Sequence, residues 1–394
     1  MHCNQIQTKK GKVWFCMEYG PGGKQVKRHG KTKKEAKKRV EEEIKRRERT
    51  GITSRQSKKI TFNKFAKEWL KAYALTGVKR GSVRVREKEI NILNKYFSKT
   101  PVAKITHLKY QDMLNDLSKK EYEESTISGV NTCAGMIFKF AKRNKLIEDN
   151  PRDGATIPKK RKTINSVKKN SIENKYMESE ELSEFLNAVI KIGLELDKER
   201  FYTLAFSGMR PGELVALKKH DIDVKNKTIN IDKTLYNENN NMKEYELTPP
   251  KNNGSYRVIG MDEKIIIMLK KLIHNNDVHK MKYRNLADDF HDQDFVFQRK
   301  NGYPFLTKNL ATRMKRILKY TGIEKKLTPH SFRHTHISML TESGVDLPTI
   351  MQRVGHEDPD TTLKIYTHVT NKMKLRSVEK VTTHHSDLLE KITF

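Results

Sequence analysis

The segment Ala205-Phe206-Ser207-Gly208-Met209-Arg210-Pro211-Gly212-Glu213-Leu214 sets an arginine between two glycines and directly before a proline. That order predicts a turn presenting Arg210 at the start of a helix. Proline suits the first helical turn, and Glu213 complements the positive helix N-terminus. Backbone N–H groups there would help hold an anion beside the guanidinium. Taken alone, the segment also reads as an ordinary ion-paired arginine.

Three further segments extend the pattern. Leu327-Thr328-Pro329-His330-Ser331-Phe332-Arg333-His334-Thr335-His336 puts His330 and Arg333 three apart, hence on one helical face. They offer a proton mover and a bidentate oxyanion donor. His330, His334 and His336 also read as metal ligands, but no Asp, Glu or Cys lies nearby to complete a set. Pro250-Lys251-Asn252-Asn253-Gly254-Ser255-Tyr256-Arg257-Val258-Ile259 sets a lysine in a turn before a strand, able to swing onto a leaving oxygen or to serve as plain surface charge. Gly355-His356-Glu357-Asp358-Pro359-Asp360-Thr361-Thr362-Leu363-Lys364-Ile365-Tyr366-Thr367-His368-Val369 places Tyr366 ten residues after His356, beyond an Asp-Pro turn. In isolation Tyr366 reads as a core aromatic with a wet edge.

Two Arg, one Lys, two His and one Tyr are what phosphodiester transfer without a metal requires. The tyrosine oxygen attacks phosphorus, and the arginine pair neutralises the non-bridging oxygens in place of a divalent cation. Lys or His supplies a proton to the departing sugar oxygen. The covalent intermediate stores the bond energy, so rejoining needs no ATP.

The order Arg, Lys, His-x-x-Arg, His, Tyr, within SGMRPGEL, PHSFRHTH and GHEDPDTTLKIYTH, resembles the tyrosine recombinase family in its phage and mobile-element integrase branch. The match covers about residues 177 to 370. The resemblance implies that Arg210 and Arg333 grip the scissile phosphate and that Lys251 is the general acid for the 5′ oxygen. It makes His330 a helper in proton transfer, His356 a hydrogen-bond donor to the phosphate, and Tyr366 the nucleophile of a 3′-phosphotyrosyl bond. Glu213 would support the Arg210 turn. Lys243 precedes Lys251 and Arg257 follows it in the same hairpin region, so both compete for that role. No cofactor and no metal are implied. The implied partners are double-stranded DNA at core and arm attachment sites and a homotetramer on that DNA, with an excisionase and a DNA-bending host protein as accessory candidates. The tail after Tyr366, with Val378, Val381, Leu388, Leu389 and Ile392, would form a short helix docking on a neighbouring protomer or on its own domain.

Composition points the same way. The 394 residues include 80 Lys and Arg against 48 Asp and Glu, a net charge of +32. Self-repulsion of that size opposes compactness unless a polyanion is the normal partner, and nucleic acid is the expected one. No apolar run approaches the ~18 residues of a spanning helix, and the start has no apolar signal region. A cytoplasmic, nucleoid-associated protein of an AT-rich bacterial host is the expectation. Cys3, Cys16 and Cys133 are scattered, which excludes a disulfide scaffold and fits a reducing cytosol.

The expected fold is multidomain and mainly α with small β-sheets. Residues 1–55 form a small arm-type DNA-binding unit, with strands Lys12 to Tyr19 and Lys24 to Arg28, a turn at Gly20 to Gly23, and a helix from Thr32 capped by Glu35. The first sixty residues of the chain hold 19 Lys or Arg against 6 Glu. Residues 61–157 form a helical core-binding domain, marked by stripes such as Phe62, Phe65, Ala66, Trp69 and Tyr73. Residues 158–170 carry six Lys or Arg and no acid, which predicts a solvated, extended linker, read either as an idle tether or as a segment tracking a phosphate backbone. Residues 171–394 form the mixed catalytic domain, with a hairpin over Asp221 to Leu235, a third strand at Tyr256 to Met261, and helices on either side.

Three rival functions remain at this level. A non-catalytic, sequence-specific DNA binder has no use for the tyrosine. A type IB topoisomerase runs similar chemistry on one duplex, so relaxation and two-site recombination assays separate the two. An RNA-binding role lacks an aromatic strand of the expected kind.

Overall fold

The computed structural model describes residues 1–8, 11–20, 25–50, 60–159, 172–250, 253–286, 289–355 and 359–384. Pro21 to Gly23 of the expected turn, most of the basic linker, Lys251, His356 and the apolar tail beyond residue 384 lie outside the described residues. The chain divides into two compact units, Met1–Arg161 and Lys162–Phe394.

In the first unit, β1 (His2–Thr8), β2 (Gly11–Tyr19) and β3 (Gln25–Gly30) form an antiparallel sheet in that order, followed by α1 (Lys33–Thr50). The start of α1 follows from its capping residues. Thr32 Oγ1 accepts from the Glu35 amide at 3.2 Å, and the Glu35 carboxylate accepts from the Lys31 amide at 2.8 Å. Cys16, Val26, Ala36 and Val40 are the buried contact between sheet and helix. β1 goes beyond the two strands expected, because His-Cys-Asn-Gln-Ile-Gln-Thr shows almost no apolar alternation. Its strand character comes from pairing along β2. That pairing also corrects the expectation for the cysteines: it sets Cys3 opposite Cys16, and the two form a disulfide, leaving Cys133 buried and free.

The helical stripes of 61–157 become α2 (Phe62–Ala74), α3 (Arg80–Phe97), α4 (His107–Lys119) and α5 (Glu124–Arg143). Their apolar faces meet in one core around Phe62, Trp69, Leu93, Tyr110 and Phe138. Burying a side chain of this size contributes roughly 1.5–3 kcal/mol. Tyr110 keeps its hydroxyl satisfied there by donating to Asn131 Oδ1 at 2.8 Å.

The second unit contains α6 (Ser179–Ile192), α7 (Asp197–Ser207), α8 (Pro211–Leu214), β4 (Ile222–Asp223), β5 (Thr228–Ile231), β6 (Thr234–Asn237), β7 (Tyr245–Thr248) and β8 (Arg257–Gly260). It continues with α9 (Glu263–Tyr283), α10 (Thr307–Leu318), α11 (Ser331–Glu342), α12 (Leu347–Val354) and α13 (Pro359–His384). The sheet order is β4-β5-β8, all antiparallel, with β6 and β7 as a separate hairpin between β5 and β8. The hairpin turning at Asn226 and the third strand match expectation; the β6–β7 hairpin is additional. Tyr366 stands in a helix of 26 residues that begins at Pro359, where the sequence suggested a turn.

The main core of this unit fixes α11. Phe332 is fully buried between Phe185 and Phe201, with ring centroids 5.4 and 5.6 Å away. Its backbone neighbour is Arg333, so the clamp on one ring sets where the next guanidinium begins.

Candidate active site

Gly208 ends α7 in the left-handed conformation, at φ +64°, and its amide closes on Leu204 O. A side chain there would also collide with His336, since a Cβ would lie 2.5 Å from that ring's Cδ2. The chain then turns through Arg210 in extended backbone into the single turn of α8, with Pro211 first. Glu213, one turn on, takes the Arg210 amide at 2.8 Å and the Arg210 guanidinium at 2.7 Å. The anticipated anion cradle of free amides is therefore partly spent: the Arg210 N–H is committed to Glu213, and the guanidinium is the group presented.

Arg210 and Arg333 converge. Arg210 Nη2 donates to Gly355 O at 3.1 Å, and Arg333 Nη2 donates to the same oxygen at 3.4 Å. Arg333 is fully buried and also donates to Gly208 O at 3.0 Å, whereas the Arg210 side chain is 33% exposed. Burial, then the charge of Arg210, pulls the Arg333 pKa well down, so the site holds two like charges at a desolvation cost. An anion between them relieves that repulsion.

His330 caps α11 three residues before Arg333, its ring edge-on to His334 at 5.1 Å. Crowding by neighbouring atoms, then the charges of Arg333 and Arg210, lowers its pKa, and Glu213 acts in the opposite direction. His330 is thus a neutral imidazole at neutral pH, beside both arginines. Tyr366 is half-buried on α13, packed on the cluster of Tyr176, Ile337, Ile350, Val354, Ile365 and Val369. Ile337 lies one turn beyond Arg333 on α11.

The structure therefore brings Arg210, His330 and Arg333 together, and seats Tyr366 against the helix that carries two of them. Lys251 and His356 lie outside the described residues, but the chain beside each is described. Ser255 Oγ accepts from Arg210 Nη1 at 3.3 Å, and Gly355, next to His356, supplies the shared carbonyl. The two cations that competed with Lys251 are committed elsewhere. Lys243 pairs with Asp289 at 2.9 Å on the surface, and Arg257 is buried against Glu213 at 2.8 Å.

The sequence reading missed the roles of four residues: Arg257, Arg353, His336 and Gly355. Arg257 and Ile259 are the inward residues of β8, and a charge in the inward phase of a strand signals a buried partner. That partner is Glu213. Burial would raise the Glu213 carboxyl, but the hydrogen bond and charge of Arg257, then the charge of Arg210, hold it below its usual value. His336 answers the metal reading of the histidine trio. Its Nδ1 donates to Ala205 O at 2.9 Å and its Nε2 accepts from Arg353 Nε at 3.0 Å. Burial, then Arg353, pushes its pKa down to about 3. Among the described residues no cluster of three His, Cys, Asp or Glu is placed to hold a metal.

Comparison with known proteins supplies the wider frame. The model of the phage integrase family matches residues 175–373, and that of the phage integrase N-terminal SAM-like domain matches 61–118. The probable integrase of prophage ps2 in Lactococcus lactis is 32% identical over 335 residues, covering 82% of this chain and 83% of its own. The integrase of a Staphylococcus phage is 30% identical over 352 residues, covering 87% and 98%. Among solved structures, the Tn1549 transposon integrase in complex with transposon right end DNA matches in fold, with a TM-score of 0.63 at 21% identity over 82% of this chain and 100% of that one. A lambda integrase dimer bound to a core site gives 0.57 at 13% identity, over 92% and 94%.

Fold and family match together define a tyrosine recombinase, a DNA strand transferase built on a mostly helical frame with small antiparallel sheets. The chain belongs to the phage integrase family, and its work is the integration and recombination of DNA. Among the described residues no helix is long and apolar enough to cross a membrane.

Proposed function

We propose that Tyr366 is the nucleophile of this integrase and that the reaction runs without metal or ATP. The Tyr366 oxygen attacks the scissile phosphorus, the bond to the 5′ oxygen breaks, and a 3′-phosphotyrosyl ester remains. Arg210 and Arg333 neutralise the two non-bridging oxygens, the task a divalent cation performs elsewhere. Lys251 gives its proton to the 5′ oxygen, His330 assists that transfer and holds the phosphate, and His356 donates a hydrogen bond from the opposite side. The ester conserves the bond energy, so attack by the partner strand's 5′ hydroxyl rejoins the backbone without a nucleotide.

The observation that carries this reading is the meeting of Arg210 and Arg333 on Gly355 O, one residue before His356. The assembly we assign is a homotetramer holding core sites. Residues 1–55 bind separate arm sites, residues 61–157 and 171–394 clamp the core duplex, and residues 158–170 join them as a basic linker. An excisionase and a DNA-bending host protein complete the candidate partners, acting at the bacterial nucleoid.

The test is adduct formation with a nicked duplex carrying the element's attachment site, in chelator. Wild type should become covalently linked to DNA, and Tyr366→Phe should not. An adduct with Tyr366→Phe removes Tyr366 as nucleophile, and an adduct that requires Mg²⁺ removes the metal-free mechanism.

A further inference from the structure

A strap of chain, residues 172–178, touches both the helix that carries Arg333 and the helix that carries Tyr366. It opens with the single turn Ile172–Lys175, whose Ile172 packs on the small cluster that seats Tyr366. The buried Tyr176 belongs to that cluster, together with Ile337 of α11 and Ile365 and Val369 of α13. The strap is fixed on the α11 side. The Met177 amide donates to Thr335 Oγ1 at 2.9 Å, and Lys325 Nζ donates to Tyr176 O at 3.3 Å while pairing with Glu181 at 2.6 Å. The Glu178 carboxylate accepts from the Glu181 amide, and the Glu178 amide donates to Glu181 Oε2 at 2.8 Å, so the strap ends in the capping box of α6.

α13 leans on the other side of the strap. Ile365, His368, Val369 and Lys372 recur at i, i+3, i+4 and i+7, along one face of the helix. The two apolar members are buried, and the two polar members reach acids of the strap. Lys372 Nζ donates to both oxygens of Glu178, each at 2.7 Å. His368 Nε2 lies 3.2 Å from Glu173 Oε1, with its ring edge-on to Tyr176 at 6.4 Å. Glu178 thus serves two helices with one carboxylate: it caps α6 and grips α13.

We infer that Glu178 and Lys372 are positioning residues for the nucleophile: their ion pair clasps α13 to the strap and so fixes the seat of Tyr366 against α11. This rests on Tyr366 being the nucleophile. The Glu178 and Lys372 side chains are 26% and 35% exposed, and ion pairs open to water add little to global stability. The effect of this pair falls on placement instead. Apolar burial is non-directional, so Ile365 and Val369 hold α13 down while leaving its rotation less defined. A lysine bound to both oxygens of a carboxylate that is itself anchored in a helix cap defines it. The same engagement commits the Lys372 ammonium to the protein and not to a DNA phosphate.

The experiment compares full-length wild type, Glu178→Gln, Lys372→Met, Lys372→Arg and the double variant Glu178→Gln/Lys372→Met. Two quantities are read: single-turnover cleavage of the nicked attachment-site duplex at saturating protein, and amide hydrogen exchange along α11 and α13. Glu178→Gln keeps an acceptor for the α6 cap and removes the charge. It and Lys372→Met should each cleave about 3- to 10-fold more slowly, since a misplaced reacting group loses rate without losing affinity. The double variant should be no slower than the slower single one, as for one shared interaction. Lys372→Arg, which can still bridge the carboxylate, should stay within about twofold of wild type. Amides of residues 362–370 should exchange faster in the slowed variants, with those of α11 unchanged. Unchanged cleavage at saturation with weakened DNA binding would make Lys372 a phosphate contact and overturn the inference. So would losses that simply add in the double variant, or unchanged exchange in α13. An adduct with Tyr366→Phe removes the nucleophile assignment by itself, while exchange still decides whether the strap holds α13. Should Glu178→Gln unfold α6, Lys372→Met leaves that cap intact and decides by the same rate, affinity and exchange.

Discussion

The two halves of the proposed active site are held in different ways. The arginine half stands on the main core of its unit: Phe332 is locked between two phenylalanines, and Arg333 follows it directly into a site with no exposure. The tyrosine half stands on α13, whose described buried apolar residues, Ile365 and Val369, belong to a small satellite cluster of six. Gripping a phosphate calls for fixed charge, which a large core supplies. A nucleophile on a small cluster is held by fewer contacts, and local stability follows contact density.

The sharpest way to break this comparison is to remove each arginine. Arg333→Ala and Arg210→Ala should each lower the cleavage rate by at least about 10³-fold, as loss of a transition-state donor does. Only Arg333→Ala should also lower the unfolding midpoint clearly, because it empties a buried site and strands the Gly208 carbonyl. Equal melting of the two variants would undo the contrast.

Core truncation separates the halves next. Phe332→Ala should cost about 3–5 kcal/mol in denaturant unfolding. Ile365→Ala should fall near the lower end of the ~2–5 kcal/mol range for its class, and should slow cleavage with little effect on phosphate binding. A larger loss for Ile365→Ala would place the nucleophile on the more rigid half.

Acid gives the smallest effect. His336 is neutral in the fold, with its pKa lowered from 6.5 to about 3 by burial and by Arg353. The unfolded chain therefore binds the extra proton first, and stability declines as pH falls below 6.5, continuing toward 3. His336 should account for about 2 kcal/mol of the loss between pH 6.5 and 5, measured as the difference between wild type and His336→Gln in denaturant unfolding at each pH. A His336→Gln curve parallel to wild type across that interval would mean His336 is already charged in the fold.

Much of this was legible beforehand, for identifiable reasons. Glycine-flanked Arg210 and the i, i+3 pair His330 and Arg333 are local signals, and local signals survive folding. The helices of 61–157 were readable because their stripes face a single core. β1 was not, because its strand character comes from its neighbour and not from Gln, Asn and His. The helix bearing Tyr366 hid behind Asp-Pro, where proline in fact occupies the first helical position. Thr362, Ile365, Tyr366 and Val369 repeat at helical spacing and would have revealed it. Arg257 and Arg353 were unreadable in role, since each acts on groups far away in sequence.

Gly355 O, shared by the two guanidinium groups, has a consequence for how the substrate is met. A main-chain oxygen cannot drift away, so before any DNA is present it keeps two mutually repelling cations aimed at a common point. The cost of crowding them is met during folding. An incoming strand then encounters a finished socket and has little rearranging to do, and the carbonyl serves as a permanent template for the oxygen still to come.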